Sequence, residues 1–195
     1  MVEISKEELE RRAEITATQL GGIQAIHRAF YQLSMRYSYE RAQAAFQRYD
    51  QLSTVNDSAS ELIAAAQEAI SHTAALSRFF FPSNLGPKSH RKALRFARAE
   101  RLREDFSVSE DSPLANRELR DVWEHFDERL DEFLLLNDAG TFFPLPMHGS
   151  HTLADDPLGK IFKLIDSEEH CLVLLNRKFF IGPLRSELSR VFHGW

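Results

Sequence analysis

Cysteine is almost missing from this 195-residue chain. Its single residue, Cys171, can form no intramolecular disulfide and cannot build a cysteine-based zinc centre, which fits a reducing compartment. Long apolar runs are missing too: no stretch approaches the ~18 residues expected of a membrane-spanning helix. The opening MVEISKEELERRAE alternates acid and base, unlike the basic head and apolar run of a secretory leader. The expectation is a cytoplasmic protein with no membrane partner. Glycine (8) and proline (7) are too scarce for extended disorder. There is no phosphate-cradling glycine loop, no Gly-x-Ser-x-Gly elbow and no His-Glu-x-x-His, so the sequence calls for no metal or cofactor. What is present is ordinary for a globular chain, with 43% hydrophobic and 27% charged residues and one principal domain expected at this length.

The net charge of −5 hides an uneven distribution. Lys88 to Arg103 holds seven Lys or Arg against one acid, Glu100, so this window carries +6 and the remainder −11. Arg91, Arg95 and Arg98 recur at i, i+4 and i+7, a row able to contact successive phosphates. An equally good reading is internal neutralisation, because Glu104 to Glu132 holds eleven acids against three arginines.

Apolar periodicity predicts helices through most of the chain. Ile4 to about Tyr37 carries Leu20, Ile23, Ile26, Phe30 and Leu33 on one side, interrupted at Gly21-Gly22, and Ser38 resembles an N-cap for a further segment to about Leu52. Asn56-Asp57-Ser58 precedes a helix from Glu61 to Phe81, closed by Pro82, Asn84, Gly86 and Pro87. Ser89 caps the basic helix, and Ser112-Pro113 opens a helix to Asn137. In that last helix Leu119, Val122, Trp123, Phe126, Leu130 and Phe133 fall within about 100° of arc. The Gly- and Pro-rich stretch from Asp138 to Gly159 reads as a surface connector. Beyond it, Ile161–Ile165, Cys171–Leu175 and Lys178–Ile181 read as strands of a small sheet that must pack on the helices or on a partner chain, and Pro183 starts a short terminal helix.

The segment RELRDVWEHFDERLDEF, Arg117 to Phe133, concentrates the chemistry. With Leu119 at 0°, Arg120 lies near 100° and His125 near 240°, about 140° apart, so the two flank the polar face rather than sharing it. Asp121 and His125 do share a row, extended by Arg117 and Arg129 into an Arg-Asp-His-Arg ladder. A solvated row of alternating charge is the plain structural account of such a pattern.

Arg120-x-x-x-x-His125, with a polar residue directly after the arginine, resembles the signature of the HEPN superfamily (higher eukaryotes and prokaryotes nucleotide-binding domains). Leu119-Arg120-Asp121 followed by Glu124 to Asp131 is similar to the motif helix of bacterial HEPN-like proteins, and the likeness extends back to Ser71-His72, Ser77-Arg78 and the Phe81-Pro82 exit. Asp121 stands where the family often has asparagine. The resemblance covers roughly residues 60 to 135 and implies a HEPN-like antiparallel helical bundle. Joined to the reading of the residues, the expectation is a mainly α fold with that bundle over residues 1–140, a connector at 141–159, and a small C-terminal β-hairpin plus short helix at 160–195 packed on the bundle. It also implies a homodimer formed through the motif helix, with metal-independent cleavage of RNA by 2'-OH attack to a 2',3'-cyclic phosphate. Arg120 and His125 would be the principal residues and Asp121 auxiliary. Such proteins serve as toxins or in phage defence, so an antitoxin or other partner protein is a further expectation. The alternative is a non-catalytic helical dimer acting as an interaction or RNA-binding module.

His72 reads better as a core histidine than as a site residue. His148 and His151, with Asp155 and Asp156, suggest a metal site only on paper, because they lie in the connector without a rigid helical frame. Cys171 lies in an apolar strand and reads as core.

Overall fold

The computed structural model describes residues 4–54 and 58–193. Three of its helices begin at capping serines, two of them, Ser58 and Ser89, as the sequence predicts. Ser5 caps α1 (Lys6–Gln19) by accepting from the Glu8 N–H, Ser58 caps α3 (Ala59–Phe80) from Glu61, and Ser89 caps α4 (His90–Asp105) from Lys92. Asn56 and Asp57, read as part of the same cap cluster, lie outside the described residues.

α2 (Arg28–Thr54) runs through Ser38 without a break. The expected N-cap is instead a mid-helix residue, 8% exposed, because neither glycine nor proline interrupts its neighbours and the helix face there is buried. Met35, Ala42, Ala45, Phe46 and Tyr49 of α2 join Leu62, Ala65, Ala66, Ala69, Ile70 and Leu76 of α3 in the main core. The alanines bring the two helices close, and the larger side chains fill the remaining space. The Tyr49 hydroxyl is held near pKa 12, first by burial and then by the carboxylates of Asp50 and Asp166.

The chain does turn at Gly21-Gly22. Gly22 has φ +82°, and a Cβ there would lie 2.2 Å from the backbone nitrogen of Arg98. The double glycine therefore lets α4 cross the loop between α1 and α2 at backbone contact distance. Glu10 of α1 ties the other end of α4. Its carboxylate accepts from the His90 and Arg91 N–H groups at 2.7 and 3.3 Å and from Arg91 Nε at 2.6 Å. The Arg91 bond, more than any other contact, holds the Glu10 pKa below the ordinary carboxylate value.

The helix expected from Pro113 to Asn137 is divided. Ser112 caps a single 3-10 turn, Pro113–Ala115, and two helices follow, α5 (Glu118–Glu124) and α6 (Phe126–Leu136). His125 between them has φ −114° and ψ 37°. The break coincides with a tertiary contact: the rings of Trp123 and Phe126, on either side of it, converge with Phe162 on the Lys163 ammonium, whose Nζ lies 5.2, 4.5 and 4.9 Å from the three ring centres.

The stretch read as a surface connector contributes to sheet structure. β1 (Thr141–Phe143) pairs parallel with β3 (Gly159–Ile161), and β2 (Met147–His148) pairs parallel with β4 (Lys163–Asp166). β5 (Cys171–Leu174) and β6 (Arg177–Phe180) complete a four-stranded sheet in the order β2-β4-β5-β6. The single strand expected over Ile161–Ile165 is split at Phe162, whose N–H bonds Phe143 and whose carbonyl accepts from Leu175. The β5–β6 turn places both Leu175 and Asn176 at positive φ, 51° and 62°. The Asn176 side chain then bonds the Ile161 N–H at 2.6 Å and the Gly159 carbonyl at 2.7 Å, fastening the turn to β3.

The C-terminal region and the helices share one core. Ile165, Leu172 and Leu174 from the sheet, with Leu188, Val191 and Phe192 at α7 (Gly182–Val191), belong to the same cluster as α2 and α3. Arg185 of α7 holds Asp50 of α2 with two bonds of 2.8 and 2.5 Å. Cys171 is fully buried beside Ile161, Leu164 and Val173, and burial pushes its thiol pKa up. The chain is thus mainly helical with a small C-terminal sheet region, and no helix among the described residues is long and apolar enough to cross a membrane.

Candidate functional site

Three elements meet around an open groove of about 810 Å³. The C-terminal end of α3 and its exit loop supply Arg78 and Pro82 to Leu85, α4 supplies Arg95 and Arg98, and the α5–α6 segment supplies Arg117, Arg120, Asp121, Glu124, His125 and Arg129. Six arginines thus face two carboxylates and one histidine. Arg120 and His125, placed apart on an ideal helix, line the same groove because the break at His125 ends the regular 100° progression.

The arginines are not equivalent. The end of α3 exposes carbonyls with no intrahelical partner, and three arginines satisfy carbonyls there. Arg98 reaches the Arg78 carbonyl at 3.3 Å, Arg103 the Phe80 carbonyl at 2.7 Å, and Arg117 the Phe81 and Pro82 carbonyls at 2.6 and 2.8 Å. Cations at a helix C-terminus also complement its dipole. Arg98 is further packed over the rings of Tyr31 and Phe79, 5.7 and 5.5 Å from their centres, and burial pushes its guanidinium pKa down.

Arg95 is different: it is exposed and makes no hydrogen bond or ion pair among the described residues. Arg78 pairs with Glu124 at 2.7 Å and Arg129 with Glu132 at 3.0 Å, both on exposed side chains where such pairs are weak and exchangeable. Arg91, the first residue of the expected phosphate row, is committed to Glu10 on α1 and does not line the groove. Internal neutralisation reaches only the near end of the acidic window: Arg101 pairs with Asp105 at 3.2 Å and Arg103 lies 3.9 Å from Glu110, and among the described residues no ion pair joins α4 to α5 or α6.

Arg120 is the buried member, its side chain 15% exposed. Its Nε and Nη2 both bond Asp121 Oδ1, at 3.0 and 2.7 Å, and Glu124 lies 3.8 Å from Nε. The carboxylate expected to orient His125 is therefore turned to the arginine. His125 is 58% exposed, and its Nδ1 lies 3.8 Å from Glu128, beyond hydrogen-bond length. The Arg-Asp-His-Arg ladder is dissolved: Arg117 goes to the α3 exit, Asp121 to Arg120 and Arg129 to Glu132.

Sequence reasoning did not place Arg78 and Glu124 at the site, and the signal for Arg78 was its position in the last turn of α3, directly before the Phe81-Pro82 exit. His72 packs edge-on against Tyr37 and lies outside the groove. The connector histidines have firm structural partners. His148 Nε2 is 2.9 Å from the Ser167 hydroxyl, and His151 Nδ1 is 2.7 Å from Asp166. Asp166 also accepts the N–H groups of His151, Glu168 and Glu169, and although burial pushes its pKa up, the His151 bonds and the Glu169 N–H outweigh it and hold the carboxyl below its ordinary value.

Comparison with protein-family models, with curated proteins and with solved structures finds no match for this chain.

Proposed function

We propose that the groove binds RNA and that His125 and Arg120 act there in metal-independent endoribonucleolytic cleavage, as the likeness of Arg120-x-x-x-x-His125 to the HEPN motif implies. The observation that carries this reading is the convergence of the basic helix, the α3 end and the motif segment on one groove, with six arginines around His125. Phosphates passing Arg95, Arg78 and Arg129 would meet one unpaired cation and two held only by exposed, exchangeable pairs. Arg98 and Arg117, already committed to backbone carbonyls, would contribute fixed positive potential.

Cleavage by an internal 2'-OH needs a proton acceptor, a proton donor for the leaving 5'-oxygen, and positive charge on the phosphorane oxygens. His125 is exposed enough to exchange protons with substrate, the part an imidazole plays in general acid–base catalysis. Arg120 offers a planar fork held in place by Asp121, with part of its donor set turned to the groove. A toxin or defence role with a protein antagonist follows from the same resemblance.

The test is incubation of the wild type and His125→Ala with end-labelled single-stranded RNA in EDTA, followed by identification of the product ends. The reading expects 2',3'-cyclic phosphate from the wild type only; equal cleavage by the purified variant removes it. One observation favours a second reading, RNA binding without cleavage: Asp121 engages Arg120 and leaves the His125 ring without an orienting carboxylate at hydrogen-bond distance. That reading expects salt-dependent binding that is weakened by Arg95→Ala, with intact RNA in every reaction.

A further inference from the structure

The apolar stripe at the start of α2 faces solvent. Ile26, in the 3-10 turn that leads into the helix, is 78% exposed, Phe30 71%, Leu33 64% and Tyr37 62%. The spacings are four, three and four residues, the seam of a helix that packs against another helix. Small side chains, Ala29 and Ser34, flank the seam and permit close approach. Beside it lies an open hollow of about 450 Å³, walled by Phe30, Leu33, Tyr37 and Phe79, with room for an apolar side chain from outside.

We propose that this face is the contact between two copies of the chain, with α2 packed on α2 about a twofold axis. Area and charge both favour a second copy. If a side chain of this size presents about 200 Å², the four expose roughly 550 Å² per copy, or about 1,100 Å² across a symmetric pair. The rim around them brings the contact into the ~1,200–2,000 Å² of specific interfaces. The groove-side part of the motif helix is the competing face, and its charge argues against self-contact: Asp127, Glu128, Asp131 and Glu132 are all exposed on α6, whose exposed leucines, Leu134 to Leu136, lie at its C-terminal end, where Leu134 meets Phe142 and Phe143 and does not line the groove. Two such faces would meet acid to acid. The α2 seam meets its own image with apolar side chains and leaves α6 and the groove open. Phe79 connects the two surfaces, since it walls the hollow on one side and carries the Arg98 guanidinium of the groove on the other.

The proposal does not depend on the nuclease reading, and its readout is oligomeric state. Sedimentation equilibrium of the full chain should show a concentration-dependent dimer. Leu33→Glu, and separately Tyr37→Glu, would set like charges across the axis at positions already exposed, so each should give a monomer with an unchanged circular dichroism spectrum, while Glu132→Lys on α6 should leave the dimer intact. A wild-type monomer at every concentration overturns the proposal, and so does a dimer that survives both α2 variants or is lost in Glu132→Lys.

Discussion

His125 and His151 each sit beside a carboxylate, and the two neighbourhoods differ in almost every physical respect. His151 is 18% exposed at the side chain and locked to Asp166 through its ring and its own backbone N–H, while Asp166 spends its other oxygen on two further N–H groups. One carboxylate fixes the ring through Nδ1 and the backbone through its N–H. His125 stands at a helix break, more than half exposed, with Glu128 at 3.8 Å and a rim of arginines around it. A histidine locked to a carboxylate through ring and backbone ties a loop into the fold; one held only by its backbone, in a cationic groove, is free to exchange protons with something that enters.

The largest expected effect comes from breaking the closed pair. Asp166→Ala removes a buried carboxylate that accepts four hydrogen bonds, and the cost should be about 3 kcal/mol in denaturant unfolding, read as a lower midpoint at unchanged slope. His125→Ala should stay within ~0.5 kcal/mol of the wild type. The closed pair also sets an acid dependence. The folded pKa of Asp166 is depressed from 3.8, so its contribution is fully present above that value and is lost as pH falls through the lower folded pKa. In Asp166→Asn the steepness of acid unfolding should diminish in that window, and an unchanged acid limb would mean that Asp166 is not the group concerned.

The same contrast divides the arginines. Arg117→Ala removes the donor of two carbonyls at the α3 exit and should cost roughly 1–2 kcal/mol of stability. Arg95→Ala, with no partner to lose, should leave stability within ~0.5 kcal/mol and weaken RNA binding, lowering the salt slope by about 1. Reversal of these two phenotypes would show that the division between structural and available cations is drawn in the wrong place. The smallest loss of stability that should still be measured lies beside the break. Lys163→Met keeps the apolar stem but removes the cation from the three-ring cluster, for about 0.5–1 kcal/mol in thermal unfolding.

Local chemistry was legible in the sequence. Ser89 and Ser58 announce helix starts, Gly21-Gly22 announces a turn, and the strands around residues 161–181 follow their apolar runs. Features that depend on distant partners were not. No residue type near His125 predicts a break, and the groups packed beside it, Phe162 and Lys163, are distant in sequence. The stretch from 138 to 159 reads as a connector because the parallel pairings of β1 and β2 are made with residues beyond it. At the site, Arg120 and His125 stand out as a motif, whereas the commitment of Arg117 and Arg98 does not, since their partners are backbone carbonyls that carry no sequence signature. Ser38 reads as a cap by composition alone, and the packed α2–α3 face overrides it.

The most direct measurement sets the two histidines against each other: RNA cleavage in EDTA by the wild type, His125→Ala and His151→Gln, each held well below its melting temperature. The account predicts that His151→Gln cleaves like the wild type while His125→Ala leaves the RNA intact but still binds it. Cleavage by His125→Ala at the wild-type rate, or its loss only in His151→Gln, would contradict the assignment of the open groove as the reactive site.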